Sequence, residues 1–220
     1  MLLAACTKPA PPLPAVPTDN LTPTAREALD SARRAAGQKP GEYAQLLHAY
    51  GLLDYTLDPY QRAEAAEPKN ADWPYYECLV LEKLGKPEAA REKLLRALEL
   101  KPDLVPAELR MGESLLDAGK SREALDYLTR ASTQEPRNAR AHFLLGRARQ
   151  ALYDLPGAIS AWREAIGLAP NYASAHRALA DAYRSLNQDR FARLHAEEAA
   201  APGAADPADE YEVRLRYLKR

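Results

Sequence analysis

Histidine is the side chain best suited to binding a transition metal or moving a proton near neutral pH, and the chain contains four. They are His48, His142, His176 and His195. Two of them, His142 and His176, stand 34 residues apart, and as neighbours in the folded chain they would form a metal-binding or pH-sensing pair. No third ligand stands beside them at a suitable spacing. The sequence therefore favours another interpretation, in which each is a half-buried ring at a recurring packing position.

The other reactive side chains give no stronger indication of chemistry. Cys6 and Cys78 form no CxxC motif and no cluster with histidine at ligand spacing. A disulfide between them is disfavoured, because Cys6 lies in a proline-rich tail and Cys78 at a helical position that requires a small buried side chain. The sequence also lacks GxSxG, HExxH and glycine-rich phosphate loops. We therefore predict a protein that is not an enzyme and needs no cofactor or metal.

The bulk composition limits the kinds of partner that the chain can have. Its 220 residues are 46% hydrophobic, which is enough for one large domain or a short repeat array. The formal net charge of -1 gives no general attraction to nucleic acid, so nucleic acid is excluded as a predicted partner. No apolar run approaches the roughly 18 residues needed to span a bilayer.

The N-terminal stretch MLLAACTKPAPPLPAVPTDNLTP has a composition unlike the rest of the chain. Its residues Leu3-Ala4-Ala5-Cys6 resemble a bacterial lipobox, which implies lipidation at Cys6 and identifies residues 1–6 as the remnant of a signal segment. Six prolines between Pro9 and Pro23 favour an extended conformation, so residues 7–23 are predicted to be a tether.

The lipobox interpretation implies a location for the protein. A lipidated Cys6 would anchor the chain to a membrane of the bacterial cell envelope, on its periplasmic side, without a spanning helix. A secretory signal needs an apolar run of about 7 to 15 residues, whereas five residues precede Cys6. We expect a start upstream of Met1; the alternative is an accidental match in a cytoplasmic protein.

The remainder of the chain is helical and repetitive. Residues 24–36 are predicted to form an N-terminal helix that ends at Gly37. Beyond it, prolines recur every 34 residues, at Pro68, Pro102, Pro136 and Pro170. With these prolines at position 32, the array from 37 to 206 divides into units 37–70, 71–104, 105–138, 139–172 and 173–206.

Small residues recur at fixed positions of these units. Position 8 holds Ala44, Cys78, Gly112, Gly146 and Ala180, and position 27 holds Ala63, Ala97, Ala131, Ala165 and Ala199. Position 24 is large in four units, as Tyr60, Leu94, Leu128 and Trp162. Two antiparallel helices that cross closely need small residues at the contact and large ones around it. Each unit is therefore predicted to be a helix pair with too little core to be stable alone.

The period and these columns resemble the tetratricopeptide repeat (TPR) family. The resemblance implies an all-α fold in which helix-turn-helix repeats stack in a right-handed superhelical solenoid, with a concave groove lined by the first helix of each unit. The chain departs from the family pattern at Tyr153 and Asn187, which replace the turn glycine, and at Pro59, which interrupts the start of the second helix in the first unit.

The resemblance also implies which residues line the groove, because first-helix positions 5, 9 and 12 face it in the family. These are Tyr75, Leu79, Glu82, Leu109, Glu113, Leu116, Phe143, Arg147, Gln150, Arg177, Asp181 and Arg184. An apolar column beside a column of mixed charge suits a protein or peptide partner. The alternative is that these residues are merely exposed or packed between units. The carboxylate clamp of chaperone-binding members is not matched, since its positions hold residues such as Asp72, Arg110 and Arg140.

These observations favour a non-catalytic adaptor for protein–protein interaction. The leading prediction is a membrane-tethered envelope lipoprotein that assists assembly of a pilus, secretion or outer-membrane complex. The alternative is an accessory or regulatory subunit of an envelope enzyme such as a cell-wall hydrolase. Residues 207–220 are predicted to be a basic tail or a capping helix, and the sequence does not decide between them.

Overall fold

The computed structural model describes residue 13 and residues 15–219, which form α-helices and connecting turns with no β-strand among them. The helices are α1 (Pro23–Ala35), α2 (Pro40–Ala49), α3 (Leu57–Ala66), α4 (Asp72–Lys83), α5 (Pro87–Leu100), α6 (Val105–Asp117), α7 (Ser121–Gln134), α8 (Ala139–Ala151), α9 (Leu155–Leu168), α10 (Ala173–Ser185), α11 (Asp189–Ala199) and α12 (Glu210–Tyr217). The lipobox and residues 7–12 and 14 of the predicted tether lie outside the described residues. Within the described part of that stretch, Leu13, Val16 and Leu21 pack against the core formed by α1 and α2.

From α2 to α11 the helices form five consecutive pairs, one for each 34-residue unit, referred to below as units one to five. Each helix packs on its partner and on the helix that follows, and the first helices of units three and four also touch each other. In units one to four the proline at position 32 begins the turn after the second helix, where a missing N–H and a fixed φ prevent the helix from continuing. The all-helical fold and the stacking of helix pairs predicted from the sequence are confirmed.

The small residues lie where two helices of one unit cross. Gly112 and Gly146, both at position 8, face Leu128 and Trp162, both at position 24 of the same unit. A Cβ atom on either glycine would overlap the large side chain opposite. Trp162 is fully buried and donates a hydrogen bond from Nε1 to the Phe143 carbonyl oxygen at 3.2 Å, which fixes its ring above Gly146. The largest buried cluster extends from unit one to unit four, and Phe143 packs both against it and against the two smaller clusters of units four and five.

The turn inside each unit requires a left-handed residue. Gly85 and Gly119 have φ values of +70° and +74° there, and Tyr153 and Asn187 adopt +64° and +56° at the same position. Asparagine tolerates this region better than other residues with a Cβ, whereas tyrosine rarely adopts it. The Tyr153 side chain is 96% exposed, so neighbouring side chains do not explain its conformation. The conformation is imposed by the geometry of the turn between α8 and α9.

The first unit keeps the helix pair despite its proline. Pro59 is the third residue of α3, where its missing N–H removes no intrahelical hydrogen bond, and a short 3₁₀ helix over Leu53–Tyr55 precedes it. The N-terminal helix α1 covers the outer side of this unit. Leu29 of α1 is buried against Tyr43 and Leu47 of α2. No helix in the described part of the chain has the length and apolar composition needed to cross a bilayer.

Candidate functional site

The first helices of the five units (α2, α4, α6, α8 and α10) line a continuous groove, and the end of the chain lies in it. Residues 205–219, here called the C-terminal segment, run along the groove from unit five back to unit one. Near the start, Asp206 accepts hydrogen bonds from the backbone N–H and the hydroxyl of Ser174, at 2.9 and 2.5 Å. Near the end, the Lys219 ammonium lies 5.8 Å from the centre of the Tyr50 ring. The segment thus has contacts near both ends of the groove.

The carboxylate of Asp209 is the most densely bonded group of the segment. Its Oδ2 accepts hydrogen bonds from the Tyr75 hydroxyl at 2.6 Å, from Arg110 Nε at 3.2 Å and from Arg140 Nη1 at 3.3 Å. Its Oδ1 accepts from the backbone N–H groups of Tyr211, at 2.9 Å, and of the following residue, so it caps α12. One carboxylate therefore both starts the helix and attaches it to three units of the array.

Arg110 joins the segment to the groove from the other side. Its guanidinium donates to Glu82 of unit two at 2.5 Å, to Asp209 and, at 3.3 Å, to Glu212 of α12. The side chain is only 12% exposed. Burial by itself favours the neutral forms, but the arginines and the Tyr75 hydroxyl hold the pKa of Asp209 below its ordinary value. The charged state of this cluster is therefore stable at neutral pH.

Aromatic rings form the next contact. The Tyr211 ring packs 4.3 Å from the centre of Tyr75 and 5.1 Å from that of Tyr76. Its hydroxyl donates to Asp72 Oδ1 at 2.6 Å. Burial, followed by the hydrogen bond to Asp72 and its charge, raises the pKa of Tyr211 well above its ordinary value, so the hydroxyl keeps its proton at neutral pH. The Tyr211 side chain is thus held by the burial of its ring against Tyr75 and Tyr76 and by one hydrogen bond to Asp72.

The predicted groove residues of units two and three lie in and around this contact. Tyr75, Leu79 and Leu109 are buried, Leu116 is half-buried, and Glu82 and Glu113 are half-buried in ion pairs with arginines. Tyr75, one of the predicted groove residues, packs against the ring of Tyr211 of the same chain. Trp73, beside it in sequence, packs between units against Gly41.

The predicted groove residues of units four and five are more open. Phe143 is half-buried and packs on Tyr172, with ring centres 4.9 Å apart. Arg147 pairs with Glu113 of the preceding unit at 3.5 Å. The remaining four are exposed: Gln150, Arg177, Asp181 and Arg184. The structure therefore does not bring the twelve predicted residues into one site, since the C-terminal segment covers part of the groove and leaves the rest open.

An open cleft of about 580 Å³ borders the covered part of the groove. It lies between the turn of unit two and helix α6, and its charged lining residues are Glu82, Glu88, Arg91, Arg110, Glu113 and Asp117. Because Arg110, Glu82 and Glu113 also belong to the ion-pair network under the C-terminal segment, the cleft and the docked segment share one wall.

The histidines occupy packing positions. His142 and His176 make the same hydrogen bond, from Nε2 to the carbonyl oxygen of the position-32 proline before their own helix, at 2.9 and 2.8 Å. The neighbour of His176 is His195, with the two Nδ1 atoms 3.0 Å apart, rather than His142. Among the described residues, no three of the usual metal-ligating side chains are close enough to hold an ion.

Comparisons with known proteins agree with this architecture. The tetratricopeptide repeat family model matches residues 109–152, which run from the first helix of unit three into the turn of unit four. A TPR repeat-containing protein of Pseudomonas aeruginosa is 39% identical over 62 residues, which are 28% of this chain and 59% of that protein. The family match places the tetratricopeptide repeat pattern in units three and four, and the other units have the same helix-pair architecture.

Two further similarities are more distant. DnaJ homolog subfamily C member 3 of Rattus norvegicus is 31% identical over 110 residues, which are 50% of this chain and 22% of that protein. A crystal structure of MamA superposes with a TM-score of 0.66 at 20% identity, covering 76% of this chain and 91% of MamA. The matched segments span less than two thirds of either sequence relative, and the likeness to MamA concerns the fold alone.

The TPR pattern did not identify the residues that form the strongest contacts of the site. Arg140 and Arg110 stand at positions 2 and 6 of their units, outside the columns from which groove residues were predicted. They do not form the carboxylate clamp of chaperone-binding members, yet together they bind one carboxylate, that of Asp209. A signal for this role was present in the sequence, because two arginines in consecutive first helices face the same groove.

Proposed function

We propose that this TPR array is a non-catalytic adaptor that binds a segment of a partner protein in its groove. The observation that carries the proposal is that the groove already holds a peptide segment of its own chain, through an aromatic stack and a set of buried ion pairs. Both are interactions by which helical repeats recognise peptides. The open residues of units four and five, with mixed charge, provide surface for a partner while the segment is docked.

We further propose that the adaptor is tethered through Cys6 to the periplasmic side of a membrane in the bacterial cell envelope. There it would assist assembly of a pilus, secretion or outer-membrane complex. The proposal is supported by the lipobox-like Leu3-Ala4-Ala5-Cys6 and by the prolines that follow it. Because Leu13, Val16 and Leu21 pack against α1 and α2, the free part of such a tether would be the six residues between Cys6 and Leu13. At about 3.1 Å per residue these would reach roughly 20 Å from the membrane if extended.

If the chain is tethered through Cys6, the mass of the mature protein must include an acyl modification at that residue. Expressed in a bacterial host with its native upstream region, the chain should end at an acylated Cys6 and enter the membrane fraction. Cys6→Ser should remain at its unprocessed mass and leave that fraction, whereas Cys78→Ser, the matched control, should behave as the parent. Intact-protein mass spectrometry measures both outcomes. A parent chain that keeps its upstream residues and carries a free thiol would contradict the tether.

The groove predicts where a partner contacts the chain. A photo-reactive phenylalanine at Gln150, which is exposed in the groove, should cross-link a partner in cells. The same residue at Tyr153, which is 96% exposed in the turn nearby, should not. Adding Arg147→Glu should reduce the cross-link from position 150 at least about tenfold, since a reversed charge in a partly buried contact costs more than about 1.4 kcal/mol.

Two outcomes would contradict binding in the groove. One is an equal yield of cross-links from positions 150 and 153; the other is a yield from position 150 that does not change when Arg147→Glu is added. Arg122→Glu on α7, which reverses an exposed charge, is the matched control for the charge change itself.

A further inference from the structure

The docked C-terminal segment has three anchoring side chains at fixed spacing. Asp209 is bound by Tyr75 and two arginines, Tyr211 packs on Tyr75 and Tyr76, and Leu215 is buried against the end of α2. All three are at most 7% exposed, whereas Glu210 and Arg214 between them, and Arg216 after them, are exposed. The pattern of anchors along the chain is Asp-X-Tyr-X-X-X-Leu.

The first anchor must be an aspartate. Its Oδ1 caps α12 while its Oδ2 accepts the Tyr75 hydroxyl, Arg110 and Arg140. Serine, threonine or asparagine could cap the helix but would bring no negative charge to two buried guanidinium groups. Glutamate has the charge but is a poor N-cap residue. The groove thus selects a carboxylate that begins a helix.

The second and third anchors extend this selection. Asp72 accepts the Tyr211 hydroxyl at 2.6 Å, so phenylalanine at this place would leave a carboxylate oxygen without its donor. Leu215 stands four residues later, one helical turn along the same face, and lies beside His48 and Ala49. Recognition therefore extends over about two helical turns and four units of the array.

The segment is attached in a way that permits exchange. An isolated helix of eight residues is unstable in water, so α12 is helical because it is docked. The connection between α11 and Asp209 consists mainly of small residues and proline, and most of it is exposed. A segment held by three anchors behind such a linker can leave the groove while the helix pairs stay folded.

From these contacts we propose that the groove is a selective site for a partner segment of the pattern Asp-X-Tyr-X-X-X-Leu, and that the C-terminal segment is an internal copy of that ligand which the partner displaces. This inference rests on the proposed function and adds the chemistry of the partner to it. The recognised carboxylate belongs to a side chain at a helix start, so the ligand is an internal stretch of the partner and needs no free C-terminus.

The test uses the full chain with its internal ligand weakened. Tyr211→Ala/Leu215→Ala removes two anchors and leaves every groove residue in place. A fluorescein-labelled peptide of residues 204–219 is the probe, and its binding is followed by fluorescence anisotropy. The double variant should bind the peptide, and the parent should bind it at least about tenfold more weakly, because a linked competitor acts at a millimolar effective concentration.

Peptide variants report the selectivity. Peptides that carry Asp209→Asn or Tyr211→Ala should bind the double variant at least about tenfold more weakly than the original peptide, which is the loss expected when a charge-assisted bond or an aromatic anchor is removed. Adding Arg140→Gln to the double variant should weaken its binding of the original peptide to a similar extent. Adding Arg122→Gln on α7 should not.

Three results would overturn the inference. One is a folded, helical double variant that fails to bind the peptide. Another is a peptide affinity that does not change when the peptide carries Asp209→Asn or Tyr211→Ala. The third is a parent chain that elutes as a dimer which the free peptide dissociates, because the ligand of the groove would then be a second copy. None of these results affects the cross-linking test at Gln150, so failure of the inference and failure of the proposed function remain distinguishable.

Discussion

Replacing Arg110 by methionine is expected to lower the free energy of unfolding by about 3 to 5 kcal/mol, the usual loss when one member of a buried ion-pair network is removed. The change would leave Asp209, Glu82 and Glu212 close together with Arg140 as the main remaining cation. The least costly response is for the C-terminal segment to leave the groove, so that Asp209 and Glu212 return to water. The loss is therefore limited to the free energy with which the segment docks.

Two measurements separate this outcome from a general loss of stability. Urea denaturation followed by circular dichroism gives the free energy of unfolding, and hydrogen exchange gives the protection of the α12 amides. We expect the α12 amides to exchange almost as in an unfolded peptide while those of α8 and α9 stay protected. Arg91→Met is the matched control, because Arg91 lines the same cleft but pairs with Glu88 and Ser114. It should lower the free energy of unfolding by less than about 1 kcal/mol. Unchanged protection of α12 in Arg110→Met would contradict the role assigned to the arginine.

The repeat architecture could be predicted from the sequence because its contacts are local. Gly112 and Leu128 are 16 residues apart, as are Gly146 and Trp162, so each crossing lies inside one unit and recurs with the same period. Repetition supplies several independent examples of the same contact in a single sequence. The repeat also predicts where the turn inside each unit lies. The positive φ of Tyr153 could be inferred only from the glycines at the same position in other units.

The docking of the C-terminal segment could not be predicted in this way. Asp209 meets Arg110 and Tyr75, which precede it by 99 and 134 residues, and the contact occurs once. No period connects these residues, and the linker before α12 allows many positions for the helix. The sequence does contain the start of α12, since Asp209 and Glu212 have the spacing of a helix-capping pair, but it does not say where that helix packs.

The position of the segment divides the groove into two parts with different properties. In units one to three the first helices are covered, and their buried charges are neutralised by Asp209 and Glu212. In unit four, Arg140 is mostly buried under the segment while Gln150 is exposed, and in unit five the exposed charged residues pair only among close neighbours, as Arg184 does with Asp181. A partner can therefore make its first contact on the open part and exchange with the C-terminal segment afterwards, since the two parts belong to one surface.

Trp162→Ala is expected to destabilise the array by about 3 to 5 kcal/mol, the range observed when a large buried aromatic side chain is removed from a core. Trp162 is fully buried, fills the space above Gly146 and donates a hydrogen bond to the Phe143 carbonyl oxygen. Glycine at position 146 cannot fill the resulting cavity. Because each unit is stabilised by its neighbours, weakening unit four also removes the surface on which unit five packs.

The urea midpoint measures this loss, and the hydrogen exchange of α10 and α11 shows whether unit five opens together with unit four. Trp162→Leu should recover part of the stability, because leucine stands at the same position in units two and three, as Leu94 and Leu128. Leu168→Ala, at the partly exposed end of the same helix, is the matched control and should cost less than about 1 kcal/mol. A loss of stability for Trp162→Ala no larger than that of the control would show that Trp162 does not support the crossing in unit four. The covered part of the groove in units one to three would then be stable without the open part.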